Sequence, residues 1–581
     1  MKNQESIFKL YFIVRKYFTK KQKLTAIYSL VFGFLSSLAE LISIGSIIPF
    51  VLLITNPEKI YKLDLYKLVV NDKVFSPDEL ILFSFIFFIS FVCIAAIFKI
   101  VSLKLNTLVS YNVIESFSDI LFKKVLSRNY KTFQKLNIKD ITTTISLRSQ
   151  SIGEMNYFII LMIGSFITAT VLLINIVFFV SAKILFYLFI LVLLYLFFWL
   201  IIKKRIRKNS KIVSENYQKL YKNITEMMQS YTDLVLYKLN NYFTLDFQKN
   251  NSALRRSSGQ VVFLGGFPVI TIQAIILISL IFLVYFWNEH WNLKNEIPFF
   301  VLLVLSLQRL VPNLQSIFTQ YTNISFLEEN LKKSIELLNI SGKQENIIDK
   351  SLFDQKFERI IVEDLRYSYS IDKKQLFEKI NFEINRGDKI ALMGESGSGK
   401  STLVKIILGF LKPTEGNILI NNKKLDENII NWWHSKAAYI PQKVFILDED
   451  IYENIALKKD ITDEDKDSIS KILKDLNLLD LLPTTKDLGD KVMGGEEGKK
   501  FSGGQIQRIA IARAIYQKRD FIILDETLNA LDNKNIVNVL DFLKKIPSIT
   551  ILLIAHNDNV ANKCEKILKL ENKKINEISI P

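Results

Sequence analysis

Long runs without charged residues dominate the first half of this chain of 581 residues. The run from Met155 to Ala182 contains no charge, and after Lys183 neither does the run from Ile184 to Ile202. Crossing about 30 Å of hydrocarbon takes about 20 apolar residues, which is longer than most core helices of soluble domains. These two runs therefore predict a transmembrane hairpin.

Four further runs complete a set of six predicted spans, all before residue 320. They cover residues 24–55, 80–98, 257–288 and 297–317. Two of them contain an ionisable side chain, Glu40 in the first and Arg309 in the last. Because a charge at mid-span costs roughly 3 kcal/mol on insertion scales, we expect each to face a cavity or a partner. A pair between the two, or a position at the membrane interface, explains them equally well.

The chain is strongly basic, with 75 Lys and Arg against 58 Asp and Glu and a net charge of +17. Such an excess favours nucleic acid or an anionic membrane surface as a partner. Its distribution decides between them, because the basic residues concentrate before the first span and in 99–154 and 203–256. The positive-inside rule then predicts that both termini are cytoplasmic, and no nucleic-acid partner is needed to explain the charge.

The two basic connections exceed fifty residues each and carry apolar residues at helical spacing. We expect the spans to continue as long helices into the cytoplasm. A turn of helix at each tip, near Tyr130 to Leu136 and near Asp233 to Leu239, is well placed to touch a second domain. Ordinary amphipathic packing explains the spacing equally well.

The pattern changes after the last span to short β-branched runs separated by turns and helices. Strands are predicted at residues 357–362, 389–393, 418–420, 521–524 and 550–554, several of them continuously apolar as buried parallel strands are. The chain therefore divides into a transmembrane domain of six helices (1–320), a linker (321–356) and an α/β domain (357–581).

A glycine-rich loop follows the predicted strand that ends at Met393 and opens a helix. In order, it comprises Gly394, Glu395, Ser396, Gly397, Ser398, Gly399, Lys400, Ser401 and Thr402. Glycines let the backbone curl so that its N–H groups surround the β- and γ-phosphates of a nucleotide. Lys400 adds a point charge there, and the Ser401 hydroxyl can ligate Mg²⁺. The loop predicts a site for ATP with Mg²⁺.

An apolar strand ending in two carboxylates, Asp525 and Glu526, supplies the second element. A buried parallel strand points its carboxyl end toward the phosphate loop, so Asp525 can hold the Mg²⁺ shell while Glu526 polarises the attacking water. Alone, such a pair is more often a solvated strand end. Together with the phosphate loop, it predicts ATP hydrolysis.

A run of Ser502, Gly503, Gly504 and Gln505 lies just upstream of that strand. It resembles the signature of the ATP-binding cassette (ABC) family. Two glycines and a serine at a helix start form a second anion site, which in that family faces the phosphate loop of another cassette. A chain with one cassette is therefore implied to act as a homodimer.

The resemblance also implies roles for four single residues. Tyr369 resembles the aromatic that stacks on adenine, and Gln442 the glutamine that reaches Mg²⁺ and senses the transmembrane domain. Asp532 belongs to the loop that couples the two ATP sites, and His556 resembles the histidine that contacts the γ-phosphate. Without the resemblance, an aromatic side chain on the face of a strand explains Tyr369 nearly as well as adenine stacking does.

Two positions depart from the family pattern. Phe501 stands where leucine is usual, which is a tolerable apolar exchange. Met493 stands where an acidic residue is common, in a segment that resembles the one touching the partner's cytoplasmic helices in exporters. We expect the second departure to affect coupling but not hydrolysis.

The whole pattern resembles an exporter-type half-transporter, which is a membrane α-helical domain with six transmembrane helices plus a cytoplasmic α/β P-loop NTPase domain. The resemblance implies a multi-pass protein of the bacterial cytoplasmic (inner) membrane that contacts membrane lipids. The segments around Glu40 and Arg309 are similar to those of lipid-linked oligosaccharide flippases. In the first outer loop, an amphipathic external helix could be formed by Ile60, Tyr61, Leu65, Leu68 and Val69.

We therefore predict ATP-driven flipping of an amphiphile with an anionic, glycosylated headgroup, such as a polyprenyl-pyrophosphate glycan. Export of a peptide, a bacteriocin or a drug is the alternative within the family. From other classes, an ATP-gated channel or a regulatory membrane subunit stays open. A soluble DNA-maintenance ATPase has a similar cassette but not the six spans.

Overall fold

The computed structural model describes residues 7–55, 77–128, 130–134, 138–179, 182–287, 293–339, 355–369, 375–482, 501–525, 533–546, 548–555 and 558–579. The chain divides into two compact units. The first comprises residues 1–128 and 135–342, and the second comprises residues 129–134 and 343–581.

The described part of the first unit is helical. In chain order the helices up to residue 339 are α1 (Ile7–Arg15), α2 (Lys20–Gly45), α3 (Ile47–Thr55), α4 (Pro77–Leu126), α5 (Tyr130–Gln134), α6 (Ile138–Thr143), α7 (Gln150–Phe179), α8 (Ala182–Gln229), α9 (Tyr231–Leu236), α10 (Asn240–Trp287) and α11 (Leu293–Asn339). A π-helical turn, Thr144–Arg148, connects α6 to α7. Of these helices, only α5 belongs to the second unit.

Four stretches of the described residues are long and apolar enough to cross a membrane. They are Lys20–Ile54, Asp78–Leu126, Asp140–Ile174 and Asn240–Ile275. They coincide with four of the six predicted spans, and the other two predicted spans fall on α8 and α11, which contain 48 and 47 residues. The α4, α8, α10 and α11 helices each exceed the length needed to cross a bilayer, as expected for spans that continue into the cytoplasm.

Serine hydroxyls join α2 to α4 along their contact. The Oγ of Ser29 donates to the carbonyl oxygen of Ser102 at 2.8 Å, and the Oγ of Ser36 donates to that of Ala95 at 3.0 Å. A Cβ added at Gly33 would lie 3.3 Å from the Oγ of Ser102. Small residues let two backbones approach closely, and between membrane helices their hydroxyls find partners that lipid cannot supply.

Glu40 of α2 forms an ion pair with Lys99 of α4. The Nζ of Lys99 lies 3.2 Å from the Oε1 of Glu40, whose residue is 8% exposed. The other carboxylate oxygen, Oε2, is buried without a hydrogen-bond partner among the described residues. Arg309 is exposed on α11. The cation that pairs with Glu40 is thus Lys99, and the pairing of Glu40 with Arg309 that the sequence left open is wrong.

Two sheets form the centre of the second unit. Their strands are β1 (Arg359–Ser368), β2 (Gln375–Asn385), β3 (Lys389–Gly394), β4 (Glu415–Ile420), β5 (Lys423–Lys424), β6 (Ala437–Ile440), β7 (Phe521–Asp525), β8 (Thr550–Ile554), β9 (Lys566–Glu571) and β10 (Lys574–Ser579). One sheet has the order β2-β1-β4-β5 and is antiparallel, and the other has the order β10-β9-β3-β8-β7-β6 and is parallel from β9 to β6. The five predicted strands are all present.

Helices cover the larger sheet. They are α12 (Lys400–Ile407), α13 (Ile430–Lys436), α14 (Ile451–Ala456), α15 (Asp463–Asp475), α16 (Gly503–Tyr516), α17 (Asn533–Lys544) and α18 (Asp558–Ala561). Successive side chains of β7 enter two different cores, because side chains alternate across a strand. Ile522 and Leu524 pack with α16, whereas Phe521 and Ile523 pack with Trp433 of α13. Burial on both faces fixes the strand that carries Asp525.

The two predicted tips differ in their surroundings. At the first tip, α5 belongs to the second unit, where the ring of Tyr130 stacks on that of Phe410 with centroids 4.7 Å apart. At the second tip, α9 has no buried residue. Leu236 and Tyr237 there are 69% and 71% exposed.

Candidate phosphate-binding site

The glycine-rich loop joins β3 to α12 and depends on the backbone freedom of glycine. Gly397 and Gly399 have φ values of 82° and 106°, in the left-handed region that other residues rarely adopt. A Cβ at Gly399 would lie 2.7 Å from the ring of Phe377, which is fully buried. A Cβ at Gly397 would meet nothing within 4 Å. The loop is thus packed tightly on its inner side and open beside Gly397.

Lys400 is folded into this loop. The residue is 6% exposed, and its Nζ donates to the carbonyl oxygens of Gly394 at 2.7 Å and Glu395 at 2.9 Å. The Oγ of Ser398 is buried without a hydrogen-bond partner among the described residues. Ser401 is exposed at the start of α12. An enclosed ammonium, an unsatisfied hydroxyl and open space beside a helix N-terminus fit the oxygens of a phosphate group.

Asp525 lies at the carboxyl end of β7, on the same sheet edge as the loop. Both Asp525 and Leu392 of β3 are in register with Ile554 of β8, which runs between their strands. Two strand spacings amount to about 10 Å. Asp525 is 7% exposed. The structure therefore brings together the two elements that the sequence assigned to ATP and Mg²⁺.

Tyr439 of β6 is a residue of this edge that the sequence analysis missed. Its hydroxyl donates to the Oδ2 of Asp525 at 2.7 Å. Burial, and then the bond to Asp525, raises the pKa of Tyr439, so the hydroxyl keeps its proton and remains a donor. Its place on a short apolar run three residues before Gln442 indicates a strand, but the sequence does not identify Asp525 as its partner.

Tyr369 lies beside the helix that the phosphate loop opens. Its hydroxyl is 2.6 Å from the Oγ1 of Thr402, and its ring meets that of Tyr367 edge-on with centroids 5.1 Å apart. The residue is 66% exposed, which leaves a ring face available for stacking. Gln442 is exposed in the loop that follows β6.

The Ser-Gly-Gly-Gln run forms the N-terminus of α16. The Ser502 Oγ accepts from the Gln505 N–H at 3.2 Å, and the Gln505 Oε1 accepts from the Ser502 N–H at 2.8 Å. This reciprocal cap fixes the start of a helix of 14 residues. Phe501 is buried just before it, so the larger apolar residue fits the core. Ser502 and Gly503 are exposed, so that the helix start faces outward.

Several predicted positions lie outside the described residues. They are Glu526, Asp532, His556, Met493 with its segment, and the outer-loop helix at residues 60–69.

The described geometry defines a membrane-spanning protein whose second unit has the loop, strand and sheet of a nucleotide-binding domain. Two family models match it: the ABC transporter transmembrane region over residues 23–302, and the ABC transporter model over residues 377–529. The chain belongs to the ABC transporter family, with the transmembrane region and the ATP-binding domain fused in one polypeptide.

Two kinds of transport protein are among the curated relatives. The lacticin-481/lactococcin-DR transport/processing ATP-binding protein of Lactococcus lactis is 34% identical over 221 residues, which are 37% of this chain and 30% of that protein. The ATP-dependent lipid A-core flippase of Burkholderia orbicola is 34% identical over 36% of this chain and 35% of its own length. In both cases the match spans about a third of the relative.

A longer match joins both halves of the chain. The ATP-dependent lipid A-core flippase of Idiomarina loihiensis is 24% identical over 488 residues, which are 81% of this chain and 80% of that protein. Among solved structures, that of a bacterial Atm1-family ABC exporter with ATP bound has a TM-score of 0.75 at 17% identity, covering 96% of this chain and 95% of the other. The chain thus has the exporter fold.

Proposed function

We propose that this protein is an ATP-driven exporter or flippase that works as a homodimer and moves an amphiphile across the bacterial cytoplasmic membrane. The observation that carries the proposal is the phosphate loop closed around Lys400 on a sheet edge shared with Asp525. The unit that contains this edge shares one chain with helices that are long enough to cross a membrane.

The residues at the edge fit ATP with Mg²⁺. Lys400 and the Ser398 hydroxyl would hold phosphate oxygens, and Ser401, Asp525 and Gln442 offer the oxygen ligands that Mg²⁺ prefers. Bound Mg²⁺ neutralises charge on the transferring phosphoryl group. All of these side chains lie on the loop after β3, on α12, on β7 or on the loop after β6.

The other residues are given roles from their sequence positions next to the described strands and helices. Glu526, directly after Asp525, accepts the proton of the attacking water, and His556, just beyond β8, contacts the γ-phosphate. The exposed ring of Tyr369 stacks on adenine. In the dimer, Ser502 and Asp532 belong to the surface that closes on the ATP of the partner.

Two exposed surfaces support a homodimer. The N-terminus of α16 exposes Ser502 and Gly503. Because a helix N-terminus attracts anions, this surface suits the phosphates of an ATP bound to the partner. The tip around α9 exposes Val235, Leu236 and Tyr237 by 58%, 69% and 71%. Apolar tips of this kind are costly in water and are covered in assemblies.

Two observations support the proposed cargo. They are the share of this chain that each relative matches, and one exposed cation in the membrane-spanning half. The relative that covers both halves of this chain is named a lipid A-core flippase, whereas the match to the lacticin transport protein covers 37% of it. Arg309 is an exposed cation on α11, within the last predicted span. A cation exposed at that depth suits an anionic headgroup such as the pyrophosphate of a polyprenyl-pyrophosphate glycan.

Reconstitution into liposomes tests the proposal. The purified protein should flip a fluorescent polyprenyl-pyrophosphate glycan only with ATP and Mg²⁺, and Arg309→Gln should slow the flipping. Lys211→Gln, which removes an exposed cation on α8 rather than on α11, is the matched control, and this variant should flip the glycan at the wild-type rate.

The name of the Lactococcus lactis relative, a lacticin and lactococcin transport protein, favours peptide export as the second candidate. In the same liposomes, ATP-dependent uptake of a bacteriocin-like peptide without any flipping of the glycan would replace the first proposal. ATP-dependent ohmic currents without flipping would identify a channel instead.

A further inference from the structure

We infer that Tyr439 is a positioning residue for the ATPase reaction, holding the carboxylate of Asp525 in the orientation that a divalent cation needs. The inference rests on the proposed function, because it assigns Asp525 to the cation. It adds a residue that the motifs of the phosphate loop and the Asp-Glu strand do not contain.

Strand pairing fixes the contact between the two side chains. β6 and β7 are parallel neighbours, with Tyr439 in register with Ile523, two residues before Asp525. Side chains two residues apart on a strand share a face, so the phenol reaches along the sheet edge toward the carboxylate. The resulting bond from the Tyr439 hydroxyl to the Asp525 Oδ2 is 2.7 Å long.

Burial makes this hydrogen bond specific. Asp525 is 7% exposed, so water has little access to satisfy its oxygens. A carboxylate with one oxygen held by a phenol can turn the other toward a cation without losing its bond to the protein. Outer partners of this kind orient metal ligands, and their removal typically costs about 10- to 100-fold in metal affinity or activity.

Rigid packing around the phenol supports a positioning role. Ile440, the next residue of β6, is 2% exposed and lies in the core with Ile522 and Leu524 of β7. The ring of Tyr439 itself packs against the opposite core, the one that contains Phe521 and Ile523. The strand therefore cannot shift its register, and the hydroxyl stays within reach of Asp525.

The test compares divalent cation binding with metal-free nucleotide binding. Tyr439→Phe removes only the hydroxyl. With the ATP analogue AMP-PNP bound, the affinity for Mn²⁺, followed by the loss of the free Mn²⁺ EPR signal, should fall about tenfold. The affinity for AMP-PNP in excess EDTA should stay at the wild-type value.

Tyr516→Phe is the matched control, because it also deletes a phenol that donates to a carboxylate, the one of Asp465 on α15. It should leave Mn²⁺ affinity unchanged. In an Asp525→Asn background, adding Tyr439→Phe should cause no further loss, since its target is gone.

Three results would overturn the inference. Wild-type Mn²⁺ affinity in Tyr439→Phe would show that the bond does not orient the carboxylate. An equal loss of metal-free AMP-PNP binding would reveal a purely structural role. Wild-type protein that binds neither AMP-PNP nor Mn²⁺ would overturn the proposed function and this inference together, which distinguishes that failure from the first two.

Discussion

Replacing Gly399 by alanine tests whether the tight inner side of the phosphate loop is needed for nucleotide binding. The new Cβ would lie 2.7 Å and 2.9 Å from two ring carbons of Phe377 and 3.1 Å from Leu376. Phe377 is fully buried, so its ring has no open space into which to turn. The alanine must also adopt a φ of 106°.

The two costs can be added to estimate the effect. A left-handed backbone costs an L-residue about 1–2 kcal/mol. Overpacking a tight core by one methyl group costs about 1–3 kcal/mol. If the loop must hold its present shape to bind phosphate, the sum of about 2–5 kcal/mol weakens nucleotide affinity roughly 30- to 4,000-fold.

Equilibrium binding of a fluorescent ATP analogue to the purified protein measures this loss directly. Gly416→Ala is the control, because it places a Cβ 2.4 Å from the Asp364 carbonyl oxygen at a φ of 83°, but in β4 rather than in the loop. It should destabilise the protein and leave the affinity of the folded fraction unchanged. The double variant Gly399→Ala/Phe377→Leu should recover the steric part of the loss. Wild-type affinity in a folded Gly399→Ala protein would refute the reasoning.

Three further changes have expected outcomes. Glu526→Gln should abolish ATP turnover but retain ATP on the protein, measured by phosphate release and by filter binding; normal turnover would refute the assignment of the base. Lys99→Met should cost about 1–2 kcal/mol, because Glu40 loses its cation although the lysine is largely exposed, and adding Glu40→Gln should restore part of the thermal stability. Burial lowers the pKa of His434 below its usual 6.5. Because the unfolded chain then takes up the proton first, the contribution of His434 to thermal stability should be constant above about pH 6.5 and should decrease on acidification toward the folded pKa; His434→Gln should flatten that part of the pH dependence, and an unchanged slope would contradict it.

The sequence predicted the strand, loop and helix start around Gly394 to Lys400 well because their determinants are local. A buried apolar strand followed by Gly394 to Lys400 can only form a strand, a tight loop and a helix start, and the carboxyl end of β7 must meet it in a parallel sheet. The cap of Ser502 and Gln505 is equally local, since both of its hydrogen bonds join residues three apart.

Long-range pairings were not predictable in the same way. The sequence does not indicate that α2 packs against α4, so Lys99 could not be predicted as the partner of Glu40. The strands β2 and β9 mix lysine and glutamate with apolar residues, which obscures the continuous apolar pattern of buried strands. Tyr439 was missed because its partner is 86 residues away.

The hydroxyl contacts between α2 and α4 constrain how the membrane-spanning half can move. Each links a side chain of one helix to a main-chain oxygen of the other, as Ser29 does with Ser102 and Ser36 with Ala95. Sliding one helix past the other by a single turn of about 5.4 Å would break all of these hydrogen bonds at once and leave their polar groups in hydrocarbon without partners. The α2 and α4 helices must therefore move together as one rigid body. Any hinge of a transport cycle lies where other helices contact this pair.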